Sequence, residues 1–391
     1  MLEMIKVALF WHNYPSENFG VGALTASNIR ILSNIYGAAN VELVCIGTMP
    51  ESLDLTQSLG IKTKYFQGSF RLFTKQPNHF FHLIKEIASC DFALDLGEGD
   101  SFSDIYGIKR FLLQSIPKLI ALKHKVPLVL SPQTIGPFES SLAKIIGRLI
   151  LNKSKKVFAR DSTSYDYARS LLSARANVEL EQTSDLAFLL PYQRQETLIG
   201  PQTKIGINVS GLLYNGGYSS KNQFLLKDRY QTLIEAIITS LVESPHHSVT
   251  LVPHVITDRY PVEDDYRVCR YLAQKFNIYL SPKFGSPSEA KSYISNFDFF
   301  LGARMHSTIG AVSSGVATIP LSYSRKFSGL FSAIGYPYLI DLRVSNTAQS
   351  IHYIRDHIEA SSLLLMRQHA AKASRKAVES LDLYVNSLSN I

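Results

Sequence analysis

Residues 297–314 read FDFFLGARMHSTIGAVSS, an apolar run followed by two small residues and then a helical pattern. The apolar run Phe297–Leu301 has the length and composition of a buried strand. Gly302 and Ala303 leave room for a tight turn, and Ser307–Ser314 continues with helical spacing. A strand that leads directly into a helix is the repeating unit of a parallel α/β sheet. The segment therefore predicts an α/β fold.

The alternation of strand and helix extends to both sides of this segment. In the second half, the predicted strands are Lys204–Asn208, Ser248–Val252, Phe297–Leu301 and Ala317–Pro320, and the predicted helices are Arg229–Val242, Glu263–Lys275 and Ser307–Ser314. In the first half, the strands are Lys6–Phe10, Val41–Ile46, Phe92–Leu96, Pro127–Leu130 and Lys156–Ala159, and the helices are Leu24–Leu32, Ile108–Leu122 and Leu142–Leu151. Each half thus predicts a parallel sheet with helices on both faces.

The chain of 391 residues is too long for one ordinary core, so two domains are expected. A polar stretch bracketed by Pro191, Gly200 and Pro201 is typical of a linker. We predict two Rossmann-type, doubly wound domains at residues 1–190 and 204–345, a linker at 191–203 and a C-terminal helical tail at 346–391. Two such domains would face a cleft, where open α/β sheets bind their ligands.

The composition favours a cytoplasmic protein with an anionic partner. No apolar run approaches the roughly 18 residues that span a bilayer, and the first apolar stretch is too short for a signal peptide. The three cysteines (Cys45, Cys90 and Cys269) have neither metal-ligand nor disulfide spacing, so we expect no metal site. The net charge of +8 suits a small acidic substrate, a membrane surface or nucleic acid, and composition does not choose among them.

The turn after Phe297–Leu301 carries the candidate catalytic residues. The planar guanidinium of Arg304 can bind phosphate or carboxylate, and His306 can give or take a proton near neutral pH. Ser307 or Thr308 is expected to cap the following helix, whose free backbone N–H groups also attract anions. The alternative is that Arg304 caps a backbone carbonyl and His306 is an ordinary interdomain residue.

Other polar or glycine residues also follow predicted strands, where a doubly wound sheet assembles its site. The candidates for substrate binding, besides Ser307, are Gly20, Gly22, Glu98, Asp100, Gln133, Arg160, Asn208, His254, Tyr323 and Lys326. The glycines suit a phosphate-binding or close-approach loop, and the carboxylates suit sugar hydroxyls or a base. The alternatives are a tight turn for the two glycines and a solvated loop for the two carboxylates. His254 would then be a structural histidine, and Lys326 would lie in a solvated helix start.

Two basic stretches are candidate surfaces for peripheral contact with the inner face of a membrane. Leu142–Lys156 combines an apolar helical face with five basic residues, and a second stretch contains Arg367, Lys372, Arg375 and Lys376. A basic amphipathic helix can lie on an anionic membrane. More often, the apolar face of such a helix packs on its own sheet.

Taken in order, several segments resemble the polysaccharide pyruvyl transferase family. They are NFGVGA (18–23), GEGDSFSD (97–104), QTIGPF (133–138), ARDS (159–162), SDLAF (184–188), IGIN (205–208) and the stretch from Gly302 through Arg304-x-His306 to Tyr323-x-x-Lys326. No single segment is diagnostic, but their order and spacing cover about residues 5–340.

This resemblance implies a GT-B-like fold, phosphoenolpyruvate as the donor, and neither a metal nor another cofactor. It further implies that a pyruvate ketal forms on a hexose, often in a lipid-linked precursor, with the acceptor on the first domain and the donor on the second. The Arg-x-His motif of the family maps onto Arg304 and His306. The glycine loop lacks the acidic residue of many relatives, and Glu98 and Asp100 replace smaller residues, differences that concern the acceptor more than the donor.

Three other functions fit the sequence less well. A nucleotide-sugar glycosyltransferase of the same fold often holds ribose with a glutamate, but no glutamate occurs between Glu289 and Glu359. A non-catalytic sugar- or anion-binding protein would need an anion site but not the titratable His306. Nucleic acid is not expected as a partner, because the basic residues are interspersed with 32 acidic ones and no reader motif occurs.

Overall fold

A computed structural model describes residues 4–14, 16–48, 54–99, 101–195, 201–218 and 221–391. The chain forms two compact units. The first comprises Met1–Ser16, Val21–Leu186 and Ala377–Ile391, and the second comprises Glu17–Gly20 and Ala187–Lys376. Each unit contains a wholly parallel sheet with intervening helices, so the predicted α/β class is confirmed.

The first unit is built on eight parallel strands in the order β3-β2-β1-β4-β6-β7-β8, with β5 paired to β6. The strands are β1 (Ile5–Phe10), β2 (Val41–Gly47), β3 (Lys62–Gln67), β4 (Phe92–Asp95), β5 (Ser101–Phe102), β6 (Leu128–Ile135), β7 (Lys156–Ala159) and β8 (Glu179–Gln182). The helices are α1 (Phe19–Tyr36), α2 (Asp54–Ser58), α3 (Phe70–Lys75), α4 (Pro77–Ala88), α5 (Ile108–Lys123), α6 (Ser141–Lys153) and α7 (Ser162–Leu171).

The second unit contains six parallel strands in the order β11-β10-β9-β12-β13-β14. The strands are β9 (Thr203–Asn208), β10 (His247–Leu251), β11 (Tyr279–Leu280), β12 (Phe299–Gly302), β13 (Ala317–Ser322) and β14 (Ile340–Asp341). The helices are α8 (Gly211–Tyr214), α9 (Tyr230–Val242), α10 (Asp265–Phe276), α11 (Pro287–Ile294), α12 (Met305–Ser313), α13 (Arg325–Ala333), α14 (Thr347–His357) and α15 (Ala360–Leu388).

Both strand orders reverse direction next to the first strand of the sheet. In the first unit the reversal falls between β1 and β4, and in the second it falls between β9 and β12. At such a switch point the chain leaves adjacent strands toward opposite sides, which opens a crevice at their carboxyl ends. Each unit therefore has one position where its sheet is expected to bind a ligand.

The structure departs from the predicted elements at the sheet edges and at three helix starts. The strands β3, β8, β11 and β14 were not predicted, because they are short or partly exposed and lack a continuous apolar run. Helix α1 begins at Phe19 instead of Leu24, helix α10 at Asp265 instead of Glu263, and helix α12 at Met305 instead of Ser307. Among the described residues, no helix is long and apolar enough to cross a bilayer.

The predicted helical tail consists of α14 and α15, and its last turns pack into the core of the first unit. Tyr384 is completely buried, with its ring edge-on to Phe158 at 5.1 Å between centroids. Its hydroxyl group donates to Oδ1 of Asn28 at 2.8 Å and lies 2.9 Å from the Ser131 hydroxyl. These contacts make residues 377–391 part of the first unit's fold.

Candidate active site

The switch point of the second sheet brings Asn208 and Arg304 together. Asn208 is the last residue of β9, and its Oδ1 accepts the backbone N–H of Arg304 at 2.8 Å. Its Nδ2 donates to the carbonyl of Val252 at 2.9 Å, and the residue is completely buried. The Asn208 amide is therefore occupied by backbone groups. Asn208 orients the Arg304 backbone, whereas a direct substrate contact of Asn208 stays a prediction that this burial disfavours.

Asp265, which the sequence analysis did not identify, is the central acceptor of this site. It is completely buried at the first position of α10. Its Oδ1 accepts from Arg304 Nη2 and from the backbone N–H of Gly211, both at 2.8 Å. Its Oδ2 accepts from the backbone N–H groups of His254 at 3.1 Å and Val255 at 3.0 Å. These donors replace the water that a charged carboxylate loses on burial.

The guanidinium of Arg304 is held by protein groups along one edge. Its Nε donates to Asp265 at 3.2 Å, and its Nη2 donates to the carbonyl of Glu263 at 2.8 Å. Burial alone would lower the pKa of Arg304, but the charge and hydrogen bonds of Asp265 outweigh this and raise it. Of its three nitrogens, only Nη1 makes no hydrogen bond to a described residue. Arg304 thus has one edge left for a ligand.

The predicted capping of α12 by Ser307 or Thr308 is wrong. Arg304 occupies the N-cap position with an extended backbone, because Asn208 binds its N–H group. Ser307 and Thr308 are buried inside the helix, and their hydroxyl groups donate to the carbonyls of Arg304 and Met305, each at 2.7 Å. The substrate-binding role predicted for the Ser307 side chain therefore has no exposed hydroxyl group to support it.

The start of α1 packs against two histidines of the site. Phe19 donates its backbone N–H to the carbonyl of His254 at 3.2 Å, and its ring lies edge-on to the His254 ring at 5.6 Å. A Cβ atom at Gly20 would come within 2.2 Å of Nδ1 of His306. Gly20 is therefore a point of close approach within a helix instead of a loop residue. Gly22 follows in the same helix.

His254 is a buried imidazole whose ring is left for a ligand. The residue is 5% exposed, and neither ring nitrogen makes a hydrogen bond to a described residue. Burial, with smaller contributions from the charges of His306 and Arg304, lowers the pKa of His254 to about 3. The ring is consequently neutral at physiological pH. Because buried polar atoms normally have partners, this ring is a strong candidate for contact with substrate.

Tyr323 and Lys326 follow β13, beside this cluster. Both are half-buried, and Lys326 lies in the first turn of α13. The Tyr323 ring packs edge-on against Phe224 at 5.0 Å, and Tyr323 also contributes to the raised pKa of Arg304. The structure thus brings Tyr323 close to Arg304. The half-buried position of Lys326 differs from the solvated helix start that was the alternative interpretation.

The switch point of the first sheet carries Glu98. Its Oε1 accepts from Nδ2 of Asn13 at 3.0 Å and from the Thr48 hydroxyl at 2.6 Å, and its Oε2 lies 3.3 Å from Nη2 of Arg110. Glu98 has a φ of 63°, between two glycines that also have positive φ. A non-glycine residue in this conformation costs free energy and often marks a functional loop. Asp100, the second predicted carboxylate, lies outside the described residues.

Two predicted substrate contacts, Arg160 and Gln133, are buried in the first unit. Nη1 of Arg160 pairs with Asp185 at 2.9 Å, and its Nε donates to the Thr134 hydroxyl at 2.9 Å. Gln133 donates to the backbone carbonyl of Asp95 at 2.9 Å. Arg160 is 3% exposed and Gln133 is 1% exposed, and Oε1 of Gln133 makes no hydrogen bond to a described residue. A substrate contact of either residue therefore stays a prediction.

The cysteines contribute no reactive thiol to either switch point. Cys45, Cys90 and Cys269 are all buried. Burial raises the pKa of Cys45 and of Cys90 to about 12, which leaves both as thiols at neutral pH. Within the described ranges, no three His, Cys, Asp or Glu residues are grouped as metal ligands.

Comparison with solved structures shows the GT-B-like fold. The chain resembles the S. aureus MnaA–UDP co-structure with a TM-score of 0.61 and 14% identity, covering 98% of this chain and 97% of that one. It also resembles Anabaena Alr3699/HepE in complex with UDP and glucose, with a TM-score of 0.63, 12% identity and complete coverage of both chains. At these identities the likeness concerns the fold alone.

Comparison with protein families gives a more specific match. The model of the polysaccharide pyruvyl transferase family matches residues 18–325, which include Glu98, His254, Arg304 and His306. The amylovoran biosynthesis protein AmsJ of Erwinia amylovora is 21% identical over 277 residues. That alignment spans 67% of this chain and 63% of the relative. Because the family match extends over most of the sequence, the chain belongs to the polysaccharide pyruvyl transferase family.

Proposed function

We propose that this protein transfers the pyruvyl group of phosphoenolpyruvate to a hexose of a surface polysaccharide or its lipid-linked precursor. The product is a pyruvate ketal, and phosphate is released. The observation that carries the proposal is the grouping of Arg304, His306 and the unpartnered His254 ring at one switch point. The polysaccharide named in the description of the family supports the acceptor class, and the relative AmsJ is an amylovoran biosynthesis protein.

The donor is a small dianion or trianion, and the second unit offers three kinds of anion-binding group. Nη1 of Arg304 can donate to a phosphate or carboxylate oxygen. The first backbone N–H groups of α12 have no intrahelical acceptor and carry the positive end of the helix dipole. Lys326, in the first turn of α13, is the third candidate group, because an ammonium group can bind a phosphate or carboxylate oxygen.

The reaction needs a proton on the methylene carbon of phosphoenolpyruvate. In this proposal His306 delivers that proton as a general acid, which makes C2 electrophilic. One hydroxyl group of the sugar adds to C2, the C2–O bond to phosphate breaks, and a second hydroxyl group closes the ketal ring. One of the two hydroxyl protons restores the proton that His306 donated, and the other leaves with phosphate. The mass of the acceptor therefore increases by that of pyruvic acid minus one water molecule.

His254 has a different role from His306. With a pKa of about 3, its ring does not carry a proton to donate as an imidazolium at neutral pH. A neutral imidazole still has one N–H donor and one acceptor nitrogen. We assign His254 to orienting the donor or the incoming hydroxyl group by a hydrogen bond.

The acceptor is assigned to the first unit, where Glu98 lies at the other switch point. Its carboxylate is held by Asn13, Thr48 and Arg110 but keeps 19% side-chain exposure. A carboxylate in this position can accept hydrogen bonds from sugar hydroxyl groups or remove the proton of the attacking one.

Ligand-dependent thermal stability tests the donor assignment directly. Phosphoenolpyruvate is expected to raise the melting temperature, because a ligand that binds only the folded state stabilises it by mass action. UDP and UDP-glucose are the matched competitors, since fold neighbours have been solved with UDP. Stabilisation by UDP-glucose without an effect of phosphoenolpyruvate would favour a nucleotide-sugar glycosyltransferase instead.

Replacing Arg304 by lysine is expected to raise KM for phosphoenolpyruvate about tenfold or more. The donors of an ammonium group all diverge from one nitrogen, so lysine cannot reproduce the planar fork that binds Asp265 and the Glu263 carbonyl while Nη1 stays available for the ligand. The lost charge-assisted hydrogen bond is worth about 1.5–3 kcal/mol. Steady-state kinetics over a range of donor concentrations measure the change. Arg267→Lys is the control, because that side chain is 55% exposed; an unchanged KM in Arg304→Lys would exclude Arg304 as a donor contact.

Replacing Gly20 by alanine is expected to lower turnover about tenfold to a hundredfold while the fold persists. The new methyl group would lie 2.2 Å from Nδ1 of His306 and displace the ring. A displacement of about 1 Å at a reacting group can cost two orders of magnitude. Gly329→Ala is the matched control, since no atom lies within 4 Å of a Cβ built there. Equal turnover by the two variants would show that the reaction does not depend on the position of the His306 ring.

A further inference from the structure

Helix α6 has two apolar faces, and only one of them is covered. Ala143, Gly147, Ile150 and Leu151 are buried, as expected for a helix that packs on its own domain. On the outer side, Leu142, Ile145 and Leu149 are 49%, 67% and 43% exposed. Their spacing of three and four residues places them in one stripe along the helix. Packing within the domain therefore accounts for the inner face but not for this outer stripe.

The exposed stripe is flanked by positive charge. Lys144, Arg148, Lys153 and Lys155 are all exposed, and none of them forms an ion pair with a described residue. Helix α6 itself contains no acidic residue. Exposed apolar side chains beside uncompensated basic ones are typical of helices that lie in the interface of an anionic bilayer.

The segment before α6 extends the same surface. The carboxylate of Asp104 accepts from the backbone N–H groups of Glu139 at 2.7 Å and Ser140 at 2.9 Å. Ser140 is the N-cap of α6, so these bonds hold the loop at residues 104–106 beside the first turn of the helix. Ile105 and Tyr106 in that loop are 38% and 49% exposed. We call Ile105, Tyr106, Leu142, Ile145 and Leu149, with the four basic residues, the α6 surface.

We propose that the α6 surface docks the protein on an anionic lipid bilayer. The basic residues attract the headgroups, and the apolar stripe enters the boundary with the acyl chains. A second copy of the chain fits this surface less well, because it would bring the same positive charges together. Docking itself does not depend on the donor chemistry. Its use, which rests on the proposed function, is to keep the enzyme at the surface where lipid-linked acceptors lie.

Sedimentation with vesicles tests the proposal without any activity measurement. The protein is expected to sediment with phosphatidylglycerol vesicles at low salt, to be released at high salt, and not to bind phosphatidylcholine vesicles. Ile145→Glu is expected to lower the partition coefficient about tenfold, from the lost apolar burial together with the added negative charge. Val344→Glu is the matched control, because Val344 is 71% exposed and lies in the second unit.

Three outcomes would overturn the proposal. One is no sedimentation with anionic vesicles at low salt, and another is equal binding by Ile145→Glu and Val344→Glu. The third is loss of binding only in Lys372→Glu or Arg375→Glu, which would move the contact to α15. The melting temperature of each variant shows that the comparison is made between folded proteins. Activity on a soluble acceptor is expected to be unchanged in Ile145→Glu, so failure of docking and failure of the proposed function are distinguishable.

Discussion

His306→Ala is expected to lower the turnover of phosphoenolpyruvate at least about 100-fold, the usual scale for loss of a general acid. The ring is half-buried at the start of α12 and faces Gly20, so its removal deletes the proposed proton donor without opening a core cavity. His254 cannot take over, because its pKa of about 3 leaves it uncharged at neutral pH. Phosphate release under saturating donor, with the melting curve of each variant, measures the effect.

A surface histidine provides the control for this experiment. His352 has 82% side-chain exposure on α14, and His352→Ala is expected to behave as the wild type. Turnover within about twofold of the wild type in a folded His306→Ala protein would remove His306 from the chemistry. The same result would leave Arg304 and His254 as substrate-binding residues, with no residue assigned as the general acid.

Asp265→Asn is expected to abolish activity and to lower the free energy of unfolding by about 3–5 kcal/mol, the cost of leaving one member of a buried ion pair alone. One carboxylate oxygen accepts from Gly211 and Arg304, and the other accepts from His254 and Val255. Whichever way the asparagine amide turns, its NH2 group meets N–H donors. Chemical denaturation and steady-state kinetics measure the two losses.

The neighbouring aspartate offers a control with the same change of charge. Asp264 caps α10 by accepting the backbone N–H of Tyr266 at 3.1 Å. Asparagine is about as good a cap as aspartate, so Asp264→Asn is expected to cost little stability. If Asp265→Asn were as stable and active as Asp264→Asn, Asp265 would not be the residue that assembles the site.

The central strands and most long helices could be predicted because their burial leaves a regular apolar pattern. β7, for example, has the predicted bounds Lys156–Ala159, and β1, β9 and β13 begin within one residue of their predicted starts. The edge strands β3 and β11 could not be predicted, because an edge strand is held mainly by its neighbour and needs no apolar run of its own. For α6 the sequence predicted a single apolar face, whereas the structure buries Ile150 and leaves Leu142, Ile145 and Leu149 exposed, because the covered side of a helix depends on tertiary packing.

The site could be predicted as a location but not as a hydrogen-bonded assembly. Arg304 and His306 stand directly after an apolar strand, and a doubly wound sheet binds its ligands at the carboxyl ends of its strands. Asp265 gave no such signal, because it lies 39 residues from Arg304 and occurs in an acidic helix start that is common on surfaces. Asn208, Gln133 and Arg160 follow strands as well, yet their side chains turn inward, which no local pattern reveals.

The most direct test of the proposed function uses the glycan from a strain that lacks this protein as acceptor. Purified protein, phosphoenolpyruvate and this glycan are incubated together, and the glycan mass and free phosphate are both measured. We expect one phosphate to be released for each pyruvyl group that the glycan gains. For each such group, the glycan mass should increase by that of pyruvic acid minus one water molecule. An unchanged glycan with phosphoenolpyruvate, together with addition of a hexose when UDP-glucose is supplied, would contradict pyruvyl transfer and identify a glycosyltransferase.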